Sequence, residues 1–88
     1  MFEYRVLTTI PRTFNPDVEG ITIDSIVGSC EGYVSHSVPY RERDTVIKIR
    51  TSKPLDTQYL TDQLDDNFRA LGEEESVVKE IVQKAASN

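Results

Sequence analysis

Cysteine and histidine are scarce in this chain of 88 residues, and their scarcity excludes whole classes of site. Cys30 is the only cysteine and His36 is the only histidine. One copy of the chain can therefore form neither an internal disulfide nor a zinc site of the usual Cys and His type. We expect no metal, no cofactor and no disulfide framework.

Long apolar runs are missing as well. No stretch approaches the ~20 consecutive apolar residues that cross a bilayer. The first residues, MFEYR, lack the basic segment and apolar run of a secretory signal. We expect no membrane partner and a cytoplasmic location, in a bacterial cell or in an infected host cell.

Positive charge is short overall, and the deficit lies at one end of the chain. The formal net charge is −5. Residues 1–55 hold seven basic and seven acidic side chains, whereas residues 56–88 hold three basic and eight acidic ones. The second segment therefore carries the whole net charge. Such a balance disfavours binding to long nucleic acid, because the phosphates would be repelled there.

Alternating apolar and polar residues dominate the first part of the chain and predict β-strands. Segments rich in β-branched residues follow, separated by glycine and proline, which are typical of turns and hairpin connections. We interpret residues 28–32 as a hairpin, Pro39 as the end of a strand and residues 40–44 as a charged turn. The predicted strands cover residues 2–10, 21–27, 33–38 and 45–51.

Apolar spacing changes from two residues to three or four after Pro54, which predicts helices. The first helix is expected over residues 55–71, with the apolar stripe Leu60, Leu64, Phe68 and Leu71 and with Gly72 as its C-terminal cap. Three glutamates at 73–75 suit the start of a second helix over residues 73–86. Strands followed by helices indicate an α+β fold. We expect a single domain over residues 1–88, in which a four-stranded antiparallel sheet (residues 2–51) is followed by two C-terminal helices packed on one face.

The sequence contains no convincing set of catalytic residues. Cys30 and His36 are six residues apart on a predicted hairpin and would not meet in a nucleophile and base pair. Asp62 and Asp66 share a helix face, but two helical carboxylates supply too few ligands for a cation site and suit a solvated acidic surface. We expect the protein not to be an enzyme.

The leading hypothesis is a small acidic binding protein, an inhibitor or adaptor of the kind that phages encode as accessory proteins. A chain with so small a core is also expected to form a homo-oligomer. The acidic helical end would contact a basic surface on another protein. The predicted protein-interaction residues are Asp62, Asp66, Glu73, Glu74 and Glu75.

The alternative is an oligomeric protein that sequesters an anionic nucleotide between subunits. Five basic residues between positions 41 and 53 outnumber two acidic ones, and arginine suits phosphate recognition. Lys48 and Arg50 are expected on one strand face, although exposed charge also discourages aggregation at a sheet edge. The predicted ligand-binding residues are Arg12, Phe14, Tyr40, Arg41 and Arg43. A third hypothesis, single-stranded RNA on the open sheet face, lacks the usual aromatic and glycine motif of such modules.

Overall fold

The computed structural model describes residues 1–10, 15–41 and 44–84, and for residues 40 and 41 it describes the backbone. The elements in chain order are β1 (Phe2–Thr8), α1 (Pro16–Gly28), β2 (Tyr33–Arg41), β3 (Thr45–Thr51), α2 (Thr57–Ala70) and β4 (Val78–Lys84). The four strands form one sheet in the spatial order β2-β3-β1-β4, and neighbouring strands are antiparallel. This order is the split β-α-β topology, also called ferredoxin-like.

The predicted fold class is wrong in its chain order. The sheet has four antiparallel strands and there are two helices, as expected, but α1 lies between β1 and β2 and only α2 follows the first three strands. Both helices contribute buried side chains to one core cluster, so both pack on the same face of the sheet. Within residues 1–10, 15–41 and 44–84, no helix or strand covers the opposite face. No helix in the described part of the chain is long and apolar enough to cross a membrane.

Helix α1 occupies the segment predicted as the second strand, residues 21–27. Asn15 caps this helix, since its side-chain oxygen accepts hydrogen bonds from the backbone N–H groups of Asp17 (2.9 Å) and Val18 (3.4 Å). Pro16 occupies the first turn, where its missing N–H costs nothing. β-branched residues lower helix propensity by only a few tenths of a kcal/mol each, whereas burying one side chain contributes about 1.5–3 kcal/mol. Burial of the helical stripe Ile23, Ile26 and Val27 therefore outweighs strand propensity.

The glycine-rich segment 28–32 is a helix-to-strand connection and not the predicted hairpin. Gly32 has a φ of +80°, and a Cβ there would lie 3.0 Å from the Cβ of Lys53, so glycine is required. Pro39 does not end the following strand, because β2 continues to Arg41. Strand β2 lies at the edge of the sheet, where proline is tolerated, and its register with β3 shifts between Ser37 and Tyr40.

Helix α2 confirms the helix predicted over residues 55–71. Asp56 accepts a hydrogen bond from the backbone N–H of Tyr59 at 3.0 Å and so caps its first turn. At the other end, Gly72 has a φ of +111° and donates to the carbonyl of Arg69, while Glu73 donates to that of Phe68. These two bonds form a Schellman motif, which ends the helix. Leu71, the last member of the predicted stripe, is 47% exposed.

The second C-terminal helix, predicted over residues 73–86, is also wrong, because residues 78–84 form β4. The carboxylate of Asp65 on α2 accepts hydrogen bonds from the backbone N–H groups of Val77 (2.9 Å) and Val78 (3.2 Å) and holds the chain in position to begin that strand. The register of β4 with β1 shifts next to Thr8. This bulge lets Val78 and Ile81, three residues apart, both pack against the core. The apolar residues of this segment therefore have helical spacing in the sequence although they lie in an irregular strand.

Candidate functional site

The uncovered face of the sheet presents three rows of side chains that run across the strands in the order β2, β3, β1, β4. The first row is Ser35, Arg50, Glu3 and Lys84; the second is Ser37, Lys48, Arg5 and Val82; the third contains Val46, Leu7 and Glu80, with the backbone of Tyr40 beside Val46. Residues directly opposite each other on antiparallel strands share a face. We call Arg5, Lys48, Arg50 and Lys84 the basic face.

Two cations of the basic face meet without an acid between them. Arg5 and Lys48 are direct cross-strand partners, and both are exposed. No side chain in the described residues forms a hydrogen bond or an ion pair with either of them. Like charges in directly opposite positions destabilise a sheet. An anion seated between them would remove that repulsion.

The neighbouring row is better balanced. Arg50 forms an ion pair with Glu3, with 3.3 Å between Nε and Oε1. Glu3 also lies directly opposite Lys84, so one carboxylate stands between two cations. The uncompensated positive charge of the face is therefore concentrated at Arg5 and Lys48.

A groove crosses this part of the sheet. It has a volume of about 390 Å³, and the basic face lines it together with Ser35 and Ser37. Neither serine hydroxyl has a hydrogen-bond partner in the described residues, so both can donate to a ligand. Known ligand pockets span about 300–1,000 Å³, and this groove falls within that range.

A second depression adjoins the groove and has a volume of about 510 Å³. Arg5 and Lys48 line it as they line the groove, but its remaining walls are Pro39 and Val46, which are apolar. The cation pair is thus the junction between a charged, hydroxyl-bearing space and an apolar one. Hydroxyl donors and two adjacent cations suit a doubly charged oxyanion such as a phosphate group.

Two of the five ligand-binding residues predicted from the sequence lie in β2, and three lie outside the described residues. Arg12, Phe14 and Arg43 lie outside the described residues. Tyr40 and Arg41 lie in β2, and their backbones pair with Val46 and Thr45. Their role in binding stays a prediction.

Sequence reasoning placed Lys48 and Arg50 on one strand face, and the register confirms it. It missed Arg5 and Lys84. Arg5 could have been found from its polar position in the alternating first strand. Lys84 could not, because the segment that carries it was interpreted as a helix.

The predicted protein-interaction residues lie on α2 and on the connection that follows it. Asp62 accepts a hydrogen bond from Gln58 at 2.8 Å, and Asp66 pairs with Arg69 at 2.9 Å. Glu73 is half-buried, while Glu74 and Glu75 are exposed in the connection to β4. The described residues contain no group of three or more His, Cys, Asp or Glu side chains placed to hold a metal ion.

Cys30 and His36 do not form a catalytic pair. His36 is held by two other groups, since its Nδ1 lies 2.6 Å from the Tyr33 hydroxyl and its Nε2 lies 2.7 Å from Oδ1 of Asp24. The Sγ of Cys30 points to the carbonyl of Ile26 in the core. Burial, with a smaller contribution from the negative charge of Asp56, raises the pKa of the Cys30 thiol. A raised pKa disfavours the thiolate and therefore a nucleophilic role.

Comparison with known proteins supplies no functional precedent. No protein-family model, no curated protein and no solved structure matches the chain.

Proposed function

We propose that the protein is a non-enzymatic binding protein that holds a small phosphate-bearing molecule on the open face of its sheet. The observation that carries the proposal is the direct opposition of Arg5 and Lys48, with no described side chain neutralising them. Their repulsion costs stability in the free protein. A dianion between the two cations converts that cost into a binding contribution.

A small ligand is favoured over a long nucleic acid for two reasons. The protein is acidic overall, with a net charge of −5, and Glu80 occupies the β4 end of the third row. A long phosphate backbone would approach these negative charges. Among the described side chains of the open face there is also no series of aromatic rings on which the successive bases of a strand could stack, which is the usual means of holding single strands on a sheet.

Thermal denaturation tests the proposal, because a ligand that binds only the native state raises the melting temperature. The wild type would be melted with increasing inorganic phosphate, pyrophosphate and, as a singly charged control, acetate at matched ionic strength. We expect stabilisation by the phosphates beyond that by acetate. The increase should disappear in the Arg5→Gln/Lys48→Gln double variant.

A matched control is offered by Arg69→Gln. Arg69 is an exposed cation on α2, on the other side of the molecule from the open sheet face. This variant should keep the full response to phosphate. Stabilisation of the wild type by acetate equal to that by phosphate would contradict the proposal, as would an undiminished response of the double variant.

Contact with a basic protein surface is the second candidate function. The observation in its favour is that Glu74 and Glu75 are exposed and have no hydrogen-bond or ion-pair partner within the described residues. The wild type and Glu74→Gln/Glu75→Gln would be compared in partner capture from host extract at low and moderate salt. Glu31→Gln/Glu80→Gln carries the same charge change elsewhere. Partners that persist unchanged on the Glu74→Gln/Glu75→Gln variant would count against this candidate.

A further inference from the structure

The cation pair Arg5 and Lys48 lines two spaces of different chemistry on the open sheet face. This arrangement indicates the chemistry of a whole ligand and not only that of its anionic group. The groove next to Ser35 and Ser37 offers positive charge and hydroxyl donors. The adjoining depression offers Pro39 and Val46. Because Arg5 and Lys48 line both spaces, a ligand anchored at the cation pair extends naturally into the apolar one.

The head group of such a ligand is expected to carry two negative charges. A carboxylate would neutralise one of the two opposed cations, whereas a phosphomonoester dianion has three terminal oxygens and neutralises both. Those oxygens can also accept from the hydroxyls of Ser35 and Ser37, which have no other partner among the described residues. The charge count and the donors therefore favour a phosphomonoester.

The organic part of the ligand is expected to be uncharged and flat. Glu80 lies at the β4 end of the third row, so a second anionic group would be repelled on that side. The apolar depression lies at the opposite end, beside β2 and β3, where Pro39 and Val46 form its walls. Two side chains can cover one side of a ring but cannot enclose a long chain.

We infer that the ligand is a nucleoside monophosphate, with its phosphate between Arg5 and Lys48 and its base over Pro39 and Val46; this inference rests on the proposed function. The inference rests on a cation pair that no described side chain neutralises, together with the adjoining apolar depression. Binding energy is then divided between the two parts. The phosphate supplies anchoring and the base supplies the preference over free phosphate.

Calorimetric titration of the intact protein with four probes measures how the binding energy is divided between the phosphate and the base. The probes are inorganic phosphate, ribose 5-phosphate, adenosine 5′-monophosphate and adenosine. We expect the nucleotide to bind on the order of tenfold tighter than ribose 5-phosphate, the gain that corresponds to placing a ring on apolar surface. Adenosine alone should bind more weakly than the nucleotide, because it lacks the anchoring phosphate.

Two isosteric substitutions separate the apolar depression from the rest of the face. Val46→Thr places a hydroxyl in the depression and should weaken the nucleotide several-fold while leaving ribose 5-phosphate unchanged. Val82→Thr is the matched control, since Val82 is exposed on the same face but lines neither space. It should leave both affinities unchanged.

The outcomes distinguish this inference from the proposed function. If inorganic phosphate and ribose 5-phosphate bind through Lys48 but the nucleotide binds no tighter, or if Val46→Thr has no effect, the inference is overturned and the proposed function stands. If none of the three phosphate-bearing probes binds, the proposed function fails as well. A nucleotide preference that is lost in Val46→Thr and retained in Val82→Thr supports both.

Discussion

Removal of one cation from the opposed pair should stabilise the free protein. Lys48→Gln and Arg5→Gln each abolish a like-charge contact between β1 and β3 and keep most of the side-chain stem. Mutations at exposed strand positions usually change stability by less than about 0.5 kcal/mol in either direction. A consistent gain from the loss of a charged side chain would therefore be informative.

The expected gain in the free energy of unfolding follows from the directly opposite positions of Arg5 and Lys48. Directly opposite side chains on antiparallel strands interact by roughly 0.2–1 kcal/mol. Two unit charges about 7 Å apart in water repel by about 0.6 kcal/mol, which falls in the same range. We expect each single variant to gain about 0.5 kcal/mol in the free energy of unfolding at low salt. The double variant should gain no more than either single one, since the repulsion is already gone.

Urea denaturation of the wild type, both single variants and the double variant measures this coupling as a double-mutant cycle. Arg50→Gln is the control: Arg50 faces Glu3, so its loss removes an attraction and should not stabilise the protein. The gains at Arg5 and Lys48 should shrink in 1 M salt, where the screening length is about 3 Å. Additive effects, or losses of stability in both single variants at low salt, would show that Arg5 and Lys48 do not repel each other.

Three further predictions concern groups outside the basic face. Asp65→Ala should lower the free energy of unfolding, measured by urea denaturation, by about 1–3 kcal/mol, because it removes the acceptor of two backbone N–H groups at the start of β4. The control Asp62→Ala should lower it by less than about 0.5 kcal/mol. Cys30 should resist alkylation in the native state, and fast labelling of the native protein would contradict its burial. Because folding raises the pKa of the Cys30 thiol, the contribution of this group to stability is fully present below the ordinary thiol pKa and declines as the pH rises above that value. Neutral His36 should carry its proton on Nε2, since Asp24 can only accept there, and long-range ¹⁵N spectra that place the proton on Nδ1 would contradict the assigned contact.

The sequence was sufficient where the local pattern and the tertiary environment agree. Strands over residues 2–10 and 45–51 were predicted from two-residue alternation, which β1 and β3 follow with one buried and one uncovered face. Helix α2 was predicted from its regular stripe and its glycine stop. In these segments burial and periodicity indicate the same structure.

Two segments were misassigned because a local preference was overruled. Residues 21–27 are β-branched, yet capping by Asn15 and burial of one helical stripe make them part of α1. Asparagine before proline and two acids in the first turn are the local features that favour a helix there. Residues 78–84 have helical spacing because a bulge displaces the apolar positions of β4. Such a bulge arises from pairing with β1, about 70 residues away in sequence.

The candidate site was only partly predictable for the same reason. Lys48 and Arg50 share a face through alternation within one strand, which is local information. Placing Arg5 opposite Lys48 requires β1 to pair with β3, and placing Lys84 beside them requires β4 on the other side of β1. Strand order and register are non-local properties that depend on how the helices cross the sheet.

Binding of phosphate by Arg5 and Lys48 on the open sheet face can be observed by titrating ¹⁵N-labelled protein with inorganic phosphate and following the amide shifts. We expect saturable changes centred on the second row, at Arg5, Ser37 and Lys48, and the loss of these changes in Lys48→Gln. Changes centred on α1 and α2, or no saturable change at all, would rule out phosphate binding at this site.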